Sequence, residues 1–186
     1  RRINCGGEQV ADYEADRVSG GTTPPSPRDR AMPIEDFYVD FARASFGESV
    51  AVAAGKLMAR MDGVHMPQVS DWKNGPGNLV ANPKPWSEIQ PGFAFVDELA
   101  ALRPQVKGAG NLERFDYWLN TWRCAAAMAE ACCIRGQLDQ AMKAKDYPAA
   151  LSNRVELARV WSRLMSLQAA IVSTPGIRIS GVWSSG

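Results

Sequence analysis

The soft-ligand chemistry of this chain is held by four cysteines, at positions 5, 124, 132 and 133, and a single histidine, His65. Cys124, Cys132 and Cys133 fall on one segment of helical period. Adjacent helical residues diverge by about 100°, so these thiols do not form a disulfide framework and are expected to be reduced. With Glu130 nearby and His65 at a loop entrance, Cys124, Cys132 and Cys133 make a ligand set suited to zinc, completed by ligands from a second subunit. Such an ion would bring the pKa of a bound water toward about 7 and polarise an ester or phosphoester oxygen. That chemistry describes a small promiscuous hydrolase. The spacing matches no zinc motif, however, and cysteine is also a well-buried small hydrophobe in helix interfaces.

A second chemistry is offered by Trp72 and Trp86, which flank a Gly- and Pro-rich stretch. An indole face gives a sugar ring a large apolar platform at small entropic cost. The same two rings would equally staple a long loop to the body of the protein. Carboxylate pairs for glycoside cleavage are weaker candidates. Asp36 with Asp40, and Glu113 with Asp116, share helix faces, but acidic residues in a first helical turn are favoured by the macrodipole alone.

Composition narrows the partners. The 21 Lys and Arg nearly cancel the 20 Asp and Glu, so no global charge draws the chain to nucleic acid or to an anionic membrane. No apolar run approaches the roughly 20 residues of a membrane span, and no signal-peptide pattern is present. Cysteines gathered on one helix point to a cytoplasmic setting. There is no Gly-x-Gly-x-x-Gly after a strand, no phosphate loop, no Gly-x-Ser-x-Gly elbow and no His-Glu-x-x-His.

The elements that position these groups are helical. Residues 1–30 carry Gly6-Gly7, Gly20-Gly21 and Pro24-Pro25-Ser26-Pro27 without apolar period, and read as a flexible arm. Residues 31–176 form the helical domain. A first helix runs from Pro33 to Gly47 with Phe37, Phe41 and Ala44 on one face; a second carries Val50, Ala54, Leu57 and Met61 and closes at Gly63. A long connection from Val64 to Pro91 leads to a short helix with Phe95, Leu99 and Leu102 inward, ending at Arg103-Pro104. Then comes a long antiparallel hairpin between Asn111 and Ser173. Its first helix presents Phe115, Leu119, Trp122, Ala126, Ala129 and Cys133, and Gly136 is expected to kink or end it. Its second helix starts at Asp146 and Pro148 and presents Leu151, Val155, Ala158, Met165, Ala169 and Val172, with Trp161 at the margin. The two stripes are expected to cover each other, with Trp118 and Trp122 in the core. Residues 177–186 read as a tail outside the core. The fold class is therefore an all-α bundle of about five main helices with negligible sheet.

At the level of residues, Phe37-Tyr38-Val39-Asp40-Phe41-Ala42-Arg43 through Phe46-Gly47, followed by a helix of small and apolar residues, resembles the helical segments that follow the catalytic barrel in large bacterial glycoside hydrolases of the α-glucuronidase type. Phe95-Val96-Asp97-Glu98-Leu99 and Asn111-Leu112-Glu113-Arg114-Phe115-Asp116-Tyr117-Trp118 have the same character. The resemblance covers about Arg30 to Gly176 and carries over no catalytic residue. It implies the C-terminal part of a larger carbohydrate-active enzyme, without the barrel and its carboxylates, serving as scaffold or interaction module. Helices deprived of such a barrel would leave an apolar patch, and a two-fold homodimer is the simplest way to close it. A dimeric helical binding module is the third reading.

Overall fold

Gly47 is where the first helix has to stop. Its φ of 89° lies in the left-handed region that suits glycine, and its N–H donates to the Arg43 carbonyl at 3.0 Å. Glu35 and Asp36 in the first turn and Arg43 in the last complement the dipole of this helix, α1, Ile34–Phe46. A single 3-10 turn, Glu48–Val50, then reverses the chain into α2, Ala51–Met61. The computed structural model describes residues 3–4, 14–15, 34–71 and 78–173. The expected arm at 1–30 lies outside them apart from two dipeptides, as do Trp72 and the tail at 177–186.

By contact the chain divides into two units. In the first, Arg1–Pro33, strand β1 (Ile3–Asn4) pairs in parallel with β2 (Glu14–Ala15). The second begins at Ile34 and holds the helices. After α2, a connection contains β3 (Ser70–Asp71) antiparallel to β4 (Asn78–Leu79), with Ser70 opposite Leu79. A one-turn helix α3 (Trp86–Ile89) runs through the 3-10 turn Gln90–Phe93 into α4 (Ala94–Leu102). The long hairpin is α5 (Ala109–Ala144) and α6 (Tyr147–Val172). The chain is thus an all-α bundle with five main helices, and sheet among the described residues is limited to two two-residue ladders.

Packing follows from side-chain size. The stripe expected for α2 is inward, with Val50 in the preceding turn and Ala54 and Leu57 in the helix buried and Met61 half-buried. A Cβ on Gly55 would sit 2.5 Å from Val39 Cα, so only glycine lets α1 approach α2 this closely. The face that α1 buries differs from the expected one. Ala42 and Phe46 are buried, whereas Phe37 is 57% exposed and Ala44 is exposed as well. In α4, Phe95, Val96 and Leu99 point inward, with Leu102 half-buried.

The hairpin departs from expectation in two ways. First, α5 runs unbroken for 36 residues through Gly136. Gly136 is there for close approach: a Cβ would lie 1.9 Å from the Asn82 carbonyl oxygen, and the Asn82 N–H donates to the Cys132 carbonyl at 2.9 Å. The helix ends instead at left-handed Lys145, and Asp146 caps α6 by accepting from the Ala149 N–H at 3.1 Å. Second, the two expected stripes do not face each other. Phe115, Leu119 and Ala129 join a core cluster with α1, α2 and α4, and Trp122 packs half-buried at its edge. α6 meets a different face of α5, formed by Cys124, Ala127, Ala131 and Ile134, and it does so through Val160 and Leu164 flanked by Leu157, Leu167 and Ile171. The expected α6 stripe, Leu151, Val155, Met165 and Val172, is exposed, and so is Trp161. Both α6 stripes have helical period, so periodicity alone could not choose between them.

Candidate functional site

Four helices each contribute an i, i+4 apolar pair to one place. Phe37 and Phe41 come from α1, Leu57 and Met61 from α2, Phe95 and Leu99 from α4, and Trp118 and Trp122 from α5. Residues four apart lie one above the other on a helix, so each pair forms a short ridge. Where the four ridges meet they line an open cavity of about 330 Å³. Its floor is aromatic and braced. Phe41 meets Trp118 edge-on with centroids 6.0 Å apart, Phe95 meets Trp122 at 5.3 Å and 82°, and Trp118 stacks on Trp122 at 6.5 Å and 30°. Rings held edge-to-face by one another resist collapse into the space between them.

The polar content of the cavity is small and confined to one place. Tyr38 and Asp62 line it beside Gly63, and the Tyr38 hydroxyl donates to the Asp62 carboxylate. Desolvation, the Asp62 charge and this hydrogen bond together hold the Tyr38 phenol above its ordinary value. The cavity therefore offers an apolar bed with one carboxylate at its rim. That arrangement suits a ring-sized apolar group that carries a hydrogen-bond donor or a positive charge.

A second cleft of about 540 Å³ lies between the α3–α4 segment, α5 and α6. Trp86 lines it with Gln90, Asp97, Arg123, Glu130 and Arg163. Arg163 pairs with Glu130 across the hairpin. Trp86 itself is half-buried against the core, its ring 5.8 Å from that of Phe93, so it both anchors the connection and shows part of its surface to the cleft.

The thiols occupy another environment. Cys132 and Cys133 are buried, and Cys124 lies at the α5–α6 contact. The Cys132 thiol donates to the Val69 carbonyl at 3.2 Å. Burial, assisted by the neighbouring Cys133 and opposed by the Val80 N–H, pushes this thiol up to about 11. Burial also raises Cys124, and burial with the Glu130 charge raises Cys133. A thiolate nucleophile or metal ligand needs the opposite shift. His65 is exposed on the connection. Among the described residues no three His, Cys, Asp or Glu side chains converge on a point where a metal ion could sit. Cys124, Cys132, Cys133 and His65 thus do not fit a zinc ion within one chain. The acidic pairs are likewise engaged elsewhere: Asp40 pairs with Arg43, and Asp116 holds Arg103 in a two-pronged pair at 2.6 and 2.7 Å.

Tyr38, Met58 and Asp62 are site residues that sequence reasoning did not single out, and Phe41 stood there only as part of an apolar helix face. The available signal was the repetition of bulky i, i+4 pairs on four successive helices. Such pairs read as core, and a cavity among them is a shortfall of packing that no spacing encodes. Compared with protein-family models, curated proteins and solved structures, the chain matches none.

Proposed function

We propose that this domain is a helical binding module whose site is the aromatic cavity between α1, α2, α4 and α5. The observation that carries the reading is the combination of a braced apolar cavity of about 330 Å³ with the Tyr38–Asp62 pair as its polar feature. Its size falls at the lower end of small-molecule sites, roughly 300–1,000 Å³. The ligand class is an aryl or cycloalkyl group bearing an ammonium or another donor. The apolar part fills the space over Trp118 and Trp122, and the donor replaces Tyr38 as a partner of Asp62.

The test is titration with three isosteric probes, an arylalkylammonium, the matching alcohol and the matching carboxylate, followed by Trp fluorescence and calorimetry. The ammonium should bind best and the carboxylate worst. Asp62→Asn should abolish that order while leaving the apolar contribution. Met61→Trp, which fills the cavity, should remove binding of all three with helicity retained. Undiminished binding in folded Met61→Trp protein would place the ligand elsewhere.

A second reading is favoured by the other cleft, where the Trp86 indole meets Asp97, Arg123 and the Arg163–Glu130 pair. This is the mixture of aromatic face and planar polar groups that holds a sugar, and a guanidinium suits a sugar acid. It accords with the resemblance to the helical region of a carbohydrate-active hydrolase. Under this reading a uronic-acid oligosaccharide binds and Trp86→Ala abolishes the binding. A uronic-acid oligosaccharide that binds equally well in the Arg123→Ala variant would remove the role of the guanidinium.

A further inference from the structure

Among the described residues, helix α6 is covered on one side only. Val160 and Leu164 face α5, while Tyr147, Leu151, Val155, Trp161, Met165 and Val172 are between 42% and 84% exposed. At 100° per residue these six fall within one 120° sector of the helix. The sector has an internal order. Leu151, Val155, Ala158, Ser162, Met165, Ala169 and Val172 follow alternating steps of four and three, the spacing of a coiled-coil seam.

We propose that this seam is a self-association surface, on which a second copy of the chain lays its own α6 antiparallel about a two-fold axis near Ser162. Three observations select this occupant and this direction. The first is side-chain size. The seam is complementary to its own reverse: Leu151 meets the partner's Val172, Val155 the partner's Ala169, Ala158 the partner's Met165, and Ser162 the partner's Ser162. Three of these four pairings put a larger residue against a smaller one or two of middling size together, whereas a parallel pair would set Ala158 against Ala158 and Met165 against Met165. An isologous contact requires such self-complementarity.

The second is charge. Arg154 lies inside this sector, at the angular position of Val172. In the antiparallel pair it lies beside the partner's Ala169 and Ala170 and about 23 Å along the axis from the partner's Arg154, well beyond a Debye length of about 8 Å. A parallel pair would place the two guanidiniums side by side. The opposed helix dipoles favour the same direction. The third is area. Tyr147 lies beyond the reach of the partner's α6; at about 150–200 Å² for a large side chain, the other five leave about 500 Å² exposed on each copy, so a pair removes about 1,000 Å². That is the size of a weak interface, as expected for a dimer that dissociates on dilution.

The experiment is sedimentation equilibrium on the full chain from 1 to 200 µM, with two charged variants, Val155→Glu and Met165→Glu. Both positions are exposed, so folding tolerates the changes, and circular dichroism verifies it. The wild-type protein should reach twice its 20.3 kDa chain mass. Each variant should weaken association by at least about 100-fold, because an unpaired carboxylate is then buried at the seam. Direction is read by Ser162→Cys in a Cys5→Ser background, treated with diamide: residue 162 faces its own copy and should form an inter-chain disulfide, while Ser152→Cys on the far side of α6 should not. A wild-type monomer at 200 µM overturns the proposal, including one whose seam is protected from hydrogen exchange by another part of the same chain. So does a dimer that persists in both glutamate variants. A dimer that cross-links through 152 and not 162 overturns the antiparallel arrangement.

Discussion

Along α5, the turns from Phe115 to Trp122 and those from Cys124 to Gly136 belong to one helix but are packed in different materials. The first stretch uses rings and long aliphatic chains: Phe115 and Leu119 are fully covered, and Phe46 meets Phe115 edge-on at 5.2 Å. The second uses mostly small residues, with Ala127, Ala129, Ala131, Cys132, Cys133 and Gly136 buried beside a single large one, Ile134. Large rigid rings cannot fill every gap where four helices meet, so this end carries the aromatic cavity. Small residues let main chain approach main chain, as Asn82 does Cys132 and Gly136, and thiols confined there are held protonated. The thiols thus lie in the tight half, and the cavity lies in the half built of rings.

This contrast can be broken by substitution. The largest effect is expected from Phe115→Ala, which empties a fully buried ring position and should cost about 3–5 kcal/mol in urea unfolding. A loss below about 1 kcal/mol would mean that the rings around it close the gap, and that the aromatic half is softer than its braced geometry implies. In the tight half the damaging change is the opposite one. Gly136→Ala adds a single methyl where the Asn82 carbonyl already sits, and should cost about 2–3 kcal/mol. Hydrogen exchange at the Asn82 amide should rise in the same variant, since its bond to Cys132 has to lengthen.

Alkaline pH tests the protonated thiol. Cys132 has a folded value of about 11 against an ordinary 9.0. The folded state holds the proton more tightly, so the stabilisation is complete below pH 9 and is lost as pH rises from 9 to 11. The loss attributable to Cys132 should be about 2–3 kcal/mol, read as the difference in pH dependence between wild type and Cys132→Ala. Equal pH profiles would show that the thiol is hydrated. The smallest effect is expected at Trp122. Its ring is half-buried at the edge of the cavity rather than between the long helices, so Trp122→Ala should cost about 1–2 kcal/mol, less than a fully enclosed ring.

Helix positions were legible from sequence to within a few residues because local signals mark them: acidic first turn and glycine stop in α1, Asp146 and Pro148 at the start of α6, and the inward faces of α2 and α4. Helical class follows from period, and period is a property of the chain. Which face of a helix is buried, where two apolar stripes compete, is a property of the neighbours. α6 has two such stripes and turned Val160 and Leu164 inward, because the small residues of α5 admit them closely. Gly136 gives the same lesson, since a glycine that weakens an isolated helix is required once another backbone crosses it. The aromatic cavity belongs wholly to the tertiary structure: its residues are ordinary core types at ordinary spacing, and the space arises from how four ridges fail to fill their meeting point. Likewise the thiols were visible as chemistry in the sequence, but only the tertiary structure buries them, and that burial raises each above its ordinary value.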